Sequence, residues 1–215
     1  MKKGVLTVVS GFSGAGKGTL MKALLAKYEY GLSISATTRS PREGEEHGKD
    51  YYFLSVPEFE EMIEQKQLIE WAKYVGNYYG TPKQYVEEQL EHGTDVILEI
   101  EVQGALNVKE MFPEAVLIFL TPPSAEELKK RLINRGTESI DVIEQRLHRA
   151  LEESAHMKDY DYIVVNDCLE DCVEEVNRVI QTEVIHQQEQ RAMANDADYS
   201  ALINKIQSEL EVLVK

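Results

Sequence analysis

A glycine-rich loop over residues 11–19 is the feature of this sequence that most constrains its fold. The loop follows the short apolar, β-rich run of residues 5–9 and precedes a stretch in which Leu20 and Leu24 recur at helical spacing. A buried strand, a glycine loop and a helix in this order open an α/β domain built on a parallel sheet. Further strands of this sheet are predicted at residues 96–101, 116–120 and 162–165.

The composition of the loop suits it to holding phosphate groups. The loop consists of Gly11, Phe12, Ser13, Gly14, Ala15, Gly16, Lys17, Gly18 and Thr19. Glycines let several backbone N–H groups point inward, and the start of the helix adds positive partial charge. Lys17 supplies a mobile positive charge for the β- and γ-phosphates of a nucleotide. The sequence therefore predicts a nucleotide-phosphate loop, in preference to a turn with only a structural role.

One position of the loop departs from the strict pattern of phosphate loops. That pattern has Ser or Thr directly after the lysine, whereas this chain has Gly18 there and Thr19 one residue later. We therefore expect no direct protein ligand for Mg²⁺. The nucleotide and water would hold the ion, with Glu99 or Glu101 behind the water. The alternative is that these two carboxylates are ordinary strand-end residues.

The composition excludes several classes of protein. Apolar residues make up 43% and charged residues 28% of the 215 residues, which is usual for a globular protein, and the chain has no apolar run near the ~20 residues of a membrane span. Lysine and arginine number 23 against 38 acidic residues, a net charge of −15. A surface this acidic repels nucleic acids and anionic membranes, so we expect neither as a partner. Cys168 and Cys172 are expected to be reduced thiols, as in a cytoplasmic protein.

The arginines are clustered, and six of the eight lie in two windows at residues 39–42 and 131–149. Phosphoryl transfer between two bound anions requires positive charge on both sides of the reaction centre. The two windows therefore favour a small-molecule kinase over the switch GTPase or the ATP-driven machine that the loop alone leaves open. The alternative is that these arginines pair with the abundant surface carboxylates.

Two helix starts carry capping signals. Ser55, followed three residues later by Glu58, predicts a capping box at the start of a short helix. Thr81 is predicted to begin another helix in the same way, with Pro82 in the first turn and Gln84 at the third helical position.

Several segments, in order and at consistent spacing, closely resemble the guanylate kinases, of the bacterial type. The resemblance extends from about residue 4 to about residue 185. The segments that carry it are residues 35–45 (SATTRSPREGE), 48–51 (GKDY), 69–72 (IEWA), 76–80 (GNYYG), 99–104 (EIEVQG) and 131–138 (RLINRGTE).

The resemblance implies an α/β fold in which a P-loop kinase core, with a parallel sheet flanked by helices, carries a small mixed GMP-binding insertion and a helical lid. It implies the reaction of ATP and GMP to ADP and GDP, with Mg²⁺ accompanying ATP. The boundaries that we assign are residues 1–34, 82–123 and 158–186 for the core, 35–81 for the insertion, 124–157 for the lid and 187–215 for a C-terminal linker and amphipathic helix.

The resemblance also implies roles for individual residues, which fall into four groups. The phosphate of GMP is gripped by Arg39, Arg42, Tyr51 and Tyr79, with Glu45 supporting the arginines. The guanine base is read by Ser35, Glu70, Thr81 and Glu101. The lid arginines, which with Lys17 and Arg39 form the catalytic set, are Arg131, Arg135 and Arg146. The adenine of ATP lies near Asn166 and Asp167, and its phosphates lie in the loop of residues 11–19.

The chemistry of guanine agrees with this assignment at Glu70. Guanine presents N1–H and N2–H₂ side by side as donors, and one carboxylate accepts both. Adenine has no such donor pair and would leave a buried carboxylate unpaired, which is costly. No general base is required, because the acceptor phosphate is already an anion and positioning and charge carry most of the catalysis.

The C-terminal segment is not covered by the resemblance. Beyond about residue 187 the chain is polar, and apolar residues from Tyr199 to Leu213 then recur at helical spacing. We expect an amphipathic helix that docks on its own domain, and a homo-oligomer formed through this helix is the alternative.

Two other functions remain to be compared with a GMP kinase. Domains that resemble guanylate kinases can bind protein ligands without catalysis, but those typically lack an intact phosphate loop, which this chain retains with Lys17. A kinase for another nucleoside monophosphate is disfavoured by residues 39–45 and by Glu70.

Overall fold

The computed structural model of the chain describes residues 3–74, 76–134, 140–189 and 197–214. The contacts within it divide the chain into two compact units, one of residues 1–8 and 30–115 and the other of residues 9–29 and 116–215. The first strand, β1 (Leu6–Gly11), contributes to both units and is buried along its whole length, as its apolar sequence predicts.

The first unit combines short strands with three helices among its described residues. Its remaining elements in chain order are β2 (Gly31–Leu32), β3 (Ala36–Thr37), β4 (Tyr52–Phe53), α2 (Val56–Glu64), β5 (Leu68–Tyr74), β6 (Asn77–Pro82), α3 (Lys83–Glu91), β7 (Val96–Glu99) and α4 (Val102–Met111).

The second unit is mainly helical. Its remaining elements in chain order are α1 (Lys17–Lys27), β8 (Val116–Thr121), α5 (Ala125–Asn134), α6 (Ile140–Ser154), a short 3₁₀ helix (Met157–Asp159), β9 (Tyr162–Val165), α7 (Leu169–Gln188) and α8 (Ser200–Leu213).

Within the described residues, the strands form two sheets. The larger sheet has the order β2-β7-β1-β8-β9, and its outer pairs, β2 with β7 and β8 with β9, are both parallel. The smaller sheet has the order β4-β3-β6-β5, in which β6 runs antiparallel to both β3 and β5. The pattern predicted for an α/β fold, a mostly parallel sheet flanked by helices, is confirmed.

The smaller sheet contains one irregularity that matters for the site. The register of β5 against β6 shifts between Leu68 and Trp71, and Glu70 lies inside this shift. A shift of this kind adds a residue to one strand and re-aims a nearby side chain. The two strands are joined at Gly76, whose positive φ of 81° suits the turn between them.

The two capping predictions have different outcomes. Ser55 caps α2, and the capping box with Glu58 is present. The second helix start is confirmed in position, because α3 begins at Lys83, but its capping detail is wrong, because Thr81 lies in β6 and Pro82 occupies the N-cap with no side-chain cap. The hydroxyl of Thr81 instead donates to the carboxylate of Glu70 on the neighbouring strand β5.

The C-terminal helix α8 packs within the second unit against α5, α6 and the 3₁₀ helix. Ile206 and Leu210 form the buried side of α8, and both are almost completely inaccessible to solvent. This is the docked arrangement expected from the helical spacing of the apolar residues. Both cysteines are free thiols, with Cys168 exposed at the N-cap of α7 and Cys172 buried.

None of the helices in the described part of the chain has both the length and the apolar character that crossing a bilayer requires.

The packing of α8 predicts a large difference between two of its apolar residues. Leu210 is 0% exposed, whereas Val212 on the same helix is 71% exposed. Leu210→Ala should lower the free energy of unfolding by about 2–4 kcal/mol, because it removes buried methyl groups and leaves a cavity. Val212→Ala should change it by less than about 0.5 kcal/mol. Urea unfolding measures both, and equal values for the two variants would contradict the packing described.

Candidate active site

The glycine loop of the second unit has a backbone conformation that only glycine adopts easily. Gly16, at the N-cap of α1, has a φ of 98° and lies in the left-handed region. A Cβ atom at this position would lie 2.5 Å from Nδ2 of Asn166. Gly16 is therefore required both for the turn into α1 and for the close approach of Asn166.

Asn166 holds the loop from the side of β9. Its side chain is buried, and its Nδ2 donates to the backbone oxygen of Ala15 at 2.8 Å. The resemblance assigned Asn166 to the adenine of ATP. The structure shows a contact to the phosphate loop itself, whereas the neighbouring Asp167 is exposed.

Lys17 lies at the start of α1, as the sequence predicts. Its Nζ donates to the backbone oxygens of Gly11 at 2.8 Å and Phe12 at 3.2 Å. The ring of Phe12 is buried edge-on against Phe119, with ring centroids 4.9 Å apart, so Phe12 meets Lys17 through its backbone. The ammonium group is thus held at the loop by two weak neutral acceptors, which phosphate oxygens can replace.

Two of the three predicted lid arginines contact this loop. Arg131 on α5 donates to the backbone oxygens of Ala15 at 3.3 Å and Asn166 at 2.9 Å. Arg146 on α6 donates to Oγ of Ser13 at 2.6 Å. The third, Arg135, lies outside the described residues. The helices α5 and α6 therefore bring two guanidinium groups to a loop that already carries Lys17.

The predicted phosphate grip of the first unit is centred on Arg39. Both terminal nitrogens of Arg39 donate to the carboxylate of Glu45, at 2.9 and 3.0 Å, and the backbone N–H of Arg42 donates to the same carboxylate at 2.7 Å. These bonds lower the pKa of Glu45, chiefly through Arg39. Glu45 therefore orients Arg39 and the backbone of Arg42, while the side chain of Arg42 is exposed.

Aromatic rings complete the surroundings of Arg39. Its guanidinium lies 5.4 Å from the ring centroid of Tyr51 and 5.7 Å from that of Phe53. The rings of Tyr51 and Tyr79 meet edge-on with centroids 6.3 Å apart. Burial and then the charge of Glu99 raise the pKa of Tyr51, so its hydroxyl stays a hydrogen-bond donor at neutral pH. Arg39, Tyr51 and Tyr79 are thus neighbours, as expected.

Glu70 is a carboxylic acid buried in the interior of the first unit, 7% exposed. Its Oε1 accepts a hydrogen bond of 2.7 Å from Oγ1 of Thr81. Burial raises the pKa of Glu70 to about 7, although the bond from Thr81 lowers it. A carboxyl that ionises near neutral pH, and that has further acceptor capacity, can bind a ligand carrying N–H donors.

The remaining predicted base-reading residues are less buried. Ser35 is half-buried next to β3, and its backbone oxygen accepts a hydrogen bond of 2.9 Å from the N–H of Tyr52. Glu101 is exposed at the N-cap of α4, although its side chain does not cap the helix. The strand predicted over residues 96–101 ends at Glu99. Of the two carboxylates, Glu99 is therefore a strand-end residue and Glu101 is not.

The sequence predicts that Glu99 or Glu101 lies behind the water ligands of a Mg²⁺ ion. In the described part of the chain, no group of three or more His, Cys, Asp and Glu residues is gathered so that it could hold a metal ion. Gly18 and Thr19 are exposed on the first turn of α1.

Two residues that shape these sites are not among the site residues that the sequence predicts. A Cβ on Gly104 would lie 2.6 Å from Oε2 of Glu70, so this glycine of α4 makes room for the carboxylate. Glu127 accepts a hydrogen bond of 3.0 Å from Nε of Arg131 and orients that guanidinium. The glycine inside a helical pattern and the i, i+4 spacing of the ion pair were the available signals.

Known proteins of one family are similar to this chain over most of its length. The sequence profile of the guanylate kinases matches residues 3–183. The chain is 54% identical over 184 residues to a guanylate kinase of Streptococcus thermophilus, covering 85% of this chain and 88% of the relative. It is 55% identical over 183 residues to one of Bacillus cereus, covering 83% and 88%.

A solved structure gives the same result for the fold. The crystal structure of guanylate kinase from Anaplasma phagocytophilum superimposes with a TM-score of 0.72 at 34% identity, covering 86% of this chain and 88% of that one.

The burial of Glu70 predicts a specific pH dependence of stability. Its folded-state pKa of about 7 lies above the ordinary value of 4.5, so between these pH values the folded protein keeps a proton that the unfolded chain releases. Its contribution to stability is complete below about pH 4.5 and is lost as the pH rises through about 7. The Glu70→Gln variant has no ionisable group at this position, so its free energy of unfolding does not fall in this way as the pH rises.

We therefore expect Glu70→Gln to gain stability relative to the wild type between pH 5 and pH 8, by roughly 3 kcal/mol at most. Urea unfolding at several pH values measures the difference, and Glu101→Gln, which alters an exposed carboxylate, is the matched control. A difference between Glu70→Gln and wild type that is constant across this range would show that Glu70 has no raised pKa.

Proposed function

The chain belongs to the guanylate kinase family, and we propose that it phosphorylates GMP with the residues described above. It is an ATP:GMP phosphotransferase, which converts ATP and GMP to ADP and GDP. The observation that carries the assignment of the acceptor base is the buried carboxyl of Glu70, hydrogen-bonded to Thr81 at 2.7 Å.

In this proposal, Glu70 reads the edge of guanine. Its carboxylate accepts N1–H and N2–H₂, and these two bonds stabilise the ionised form that burial alone disfavours. Thr81 holds the carboxylate in place, and Gly104 leaves it the space to lie against α4. Ser35 and Glu101 are proposed to contact the base as well.

The phosphate of GMP is proposed to lie against Arg39, Arg42, Tyr51 and Tyr79. Arg39 is held in place by the bidentate bond to Glu45, so little side-chain entropy is lost when the phosphate binds. The tyrosine hydroxyls donate further hydrogen bonds. The phosphate oxygen attacks as an anion, and the role of these residues is to position it.

ATP, the phosphoryl donor, is proposed to bind at the loop of residues 11–19 together with the arginines of α5 and α6. Lys17 exchanges its two carbonyl acceptors for the β- and γ-phosphate oxygens of ATP. Arg131 and Arg146, which contact the loop, together with Arg135, neutralise the charge that develops on the transferred group. Asn166 holds the loop and, with Asp167, lies near the adenine.

Mg²⁺ is proposed to enter with ATP. The described residues offer no cluster of carboxylate ligands, and the position after Lys17 carries no hydroxyl, so the donor set fits an ion that phosphate oxygens and water hold. Bound in this way the ion reduces the negative charge of the phosphates, and Glu99 and Glu101 are its proposed partners through water.

The proposal includes the division of the chain into a core, a GMP-binding insertion at residues 35–81 and a lid at residues 124–157. It also includes a cytoplasmic location, which the reduced state of Cys168 and Cys172 supports.

A coupled assay for ADP release tests the proposed function. With ATP and Mg²⁺, we expect turnover with GMP and little with AMP, UMP or CMP. Lys17→Ala should lower kcat at least about 100-fold, because it removes the charge that the loop offers the transferred phosphoryl group. Lys22→Ala, an exposed lysine on the same helix, is the control and should retain normal turnover. Near-normal GDP formation by Lys17→Ala would contradict the donor assignment.

Base recognition by Glu70 predicts a change in selectivity. Glu70→Gln places an amide donor against N1–H or N2–H₂ of guanine, so one charge-assisted bond is lost. The cost is about 1.5–3 kcal/mol, or roughly 10- to 150-fold in kcat/KM for GMP. IMP keeps N1–H but lacks the 2-amino group, so the variant should narrow the preference for GMP over IMP. The KM for ATP should be unchanged, and an unaltered ratio of GMP to IMP efficiency would mean that another carboxylate reads the base.

A further inference from the structure

The C-terminal helix α8 lies beyond the region that matches the family, which ends at residue 183. Within the second unit it nevertheless packs against α5 and α6, the two helices that carry Arg131 and Arg146. Its contacts with the ends of those helices are specific and polar.

At the start of α5, α8 supplies a carboxylate. Oε2 of Glu209 accepts a hydrogen bond of 2.8 Å from the backbone N–H of Ala125, the first residue of α5. The first N–H groups of a helix have no partner within the helix, and negative charge is favoured there. Nζ of Lys205 donates to the backbone oxygen of Pro123 at 3.0 Å, just before the helix. Glu209 thus completes the N-terminus of α5 from a distant part of the chain.

At the end of α6, α8 supplies a donor. Nε2 of Gln207 donates to the backbone oxygen of Ser154, the last residue of α6, at 3.1 Å. The last carbonyls of a helix need partners in the same way as the first N–H groups. Ile206 and Leu210 are buried on the same side of α8. One helix therefore ties together the start of α5 and the end of α6.

The two helices held in this way bring their arginines to the phosphate loop. Arg131 on α5 contacts Ala15, and Arg146 on α6 contacts Ser13. Because a helix moves nearly as a rigid body, holding its end restricts the side chains one or two turns further along. A change in the docking of α8 would therefore reach the guanidinium groups at the loop.

We propose that α8 holds α5 and α6 in the arrangement in which their arginines contact the phosphate loop. Glu209 is a positioning residue for Arg131. The inference rests on the proposed function and extends it, because it makes α8 a determinant of how tightly the loop of residues 11–19 and its arginines bind ATP. The helix touches no substrate and acts through the helices on which it packs.

Variants of two glutamates on α8 separate this role from simple stabilisation. Glu209→Ala removes the acceptor at the start of α5, whereas Glu209→Gln keeps an oxygen for the N–H of Ala125. Glu211→Ala alters an exposed glutamate two residues away on the same helix and is the matched control. The readouts are kcat, the separate KM values for ATP and GMP, and the Kd of a non-hydrolysable ATP analogue measured by calorimetry.

For Glu209→Ala we expect the KM for ATP and the Kd of the analogue to rise about three- to tenfold, the effect of losing one helix cap. The KM for GMP should stay unchanged. Glu209→Gln should recover most of the affinity, and Glu211→Ala should match the wild type. Deletion of residues 197–215 should weaken analogue binding at least as much as Glu209→Ala.

Two results would contradict the proposed role of α8. One is a Glu209→Ala protein that unfolds more easily yet binds the analogue as the wild type does, which would mean a purely stabilising helix. The other is an equal rise in the KM values for both nucleotides. If the wild type bound the analogue but did not phosphorylate GMP, the proposed function would fail, while the Kd comparison would still test α8.

Discussion

The hydrogen bond from Asn166 to the backbone oxygen of Ala15 is the interaction on which the proposed ATP site depends. It fixes the loop from the end of β9 and requires that Gly16 carry no side chain. Arg131 donates to the same backbone oxygen and to that of Asn166, so the position of this guanidinium depends on the same contact. In the proposed function, the backbone N–H groups of the loop are thereby placed for phosphate before a nucleotide binds, which lowers the entropic cost of binding.

The first unit uses a different physical device, a carboxyl that is costly to bury. Burying Glu70 raises its pKa to about 7 and disfavours its charge, and Thr81 satisfies only part of its hydrogen-bonding capacity. A ligand that offers two adjacent N–H donors restores the lost interactions, while one without them leaves the carboxyl unpaired. In the proposed function, selectivity for the base thus arises from an arrangement that costs the unliganded protein stability, as functional sites often do.

The segment beyond the region that matches the family contacts the two helices that carry Arg131 and Arg146. The contacts of Glu209 and Gln207 satisfy backbone groups at the ends of α5 and α6, which would otherwise be left to water. An extension of this kind can adjust the affinity for a nucleotide without altering any residue that touches it.

The sequence by itself determined the local structure and the chemical class of this protein. The strand and glycine loop that lead into Lys17 at the start of α1, the capping box of Ser55 and the segments shared with guanylate kinases all depend on residues close together in the chain. Local patterns are read correctly where the hydrogen-bonding partners are local, as at Ser55. They failed at Thr81, whose hydroxyl is bound by a carboxylate on the neighbouring strand. Only the tertiary structure decided that Gly104 makes room for Glu70, that Asn166 holds the loop and that Glu209 completes α5, because each of these depends on packing between residues far apart in the sequence.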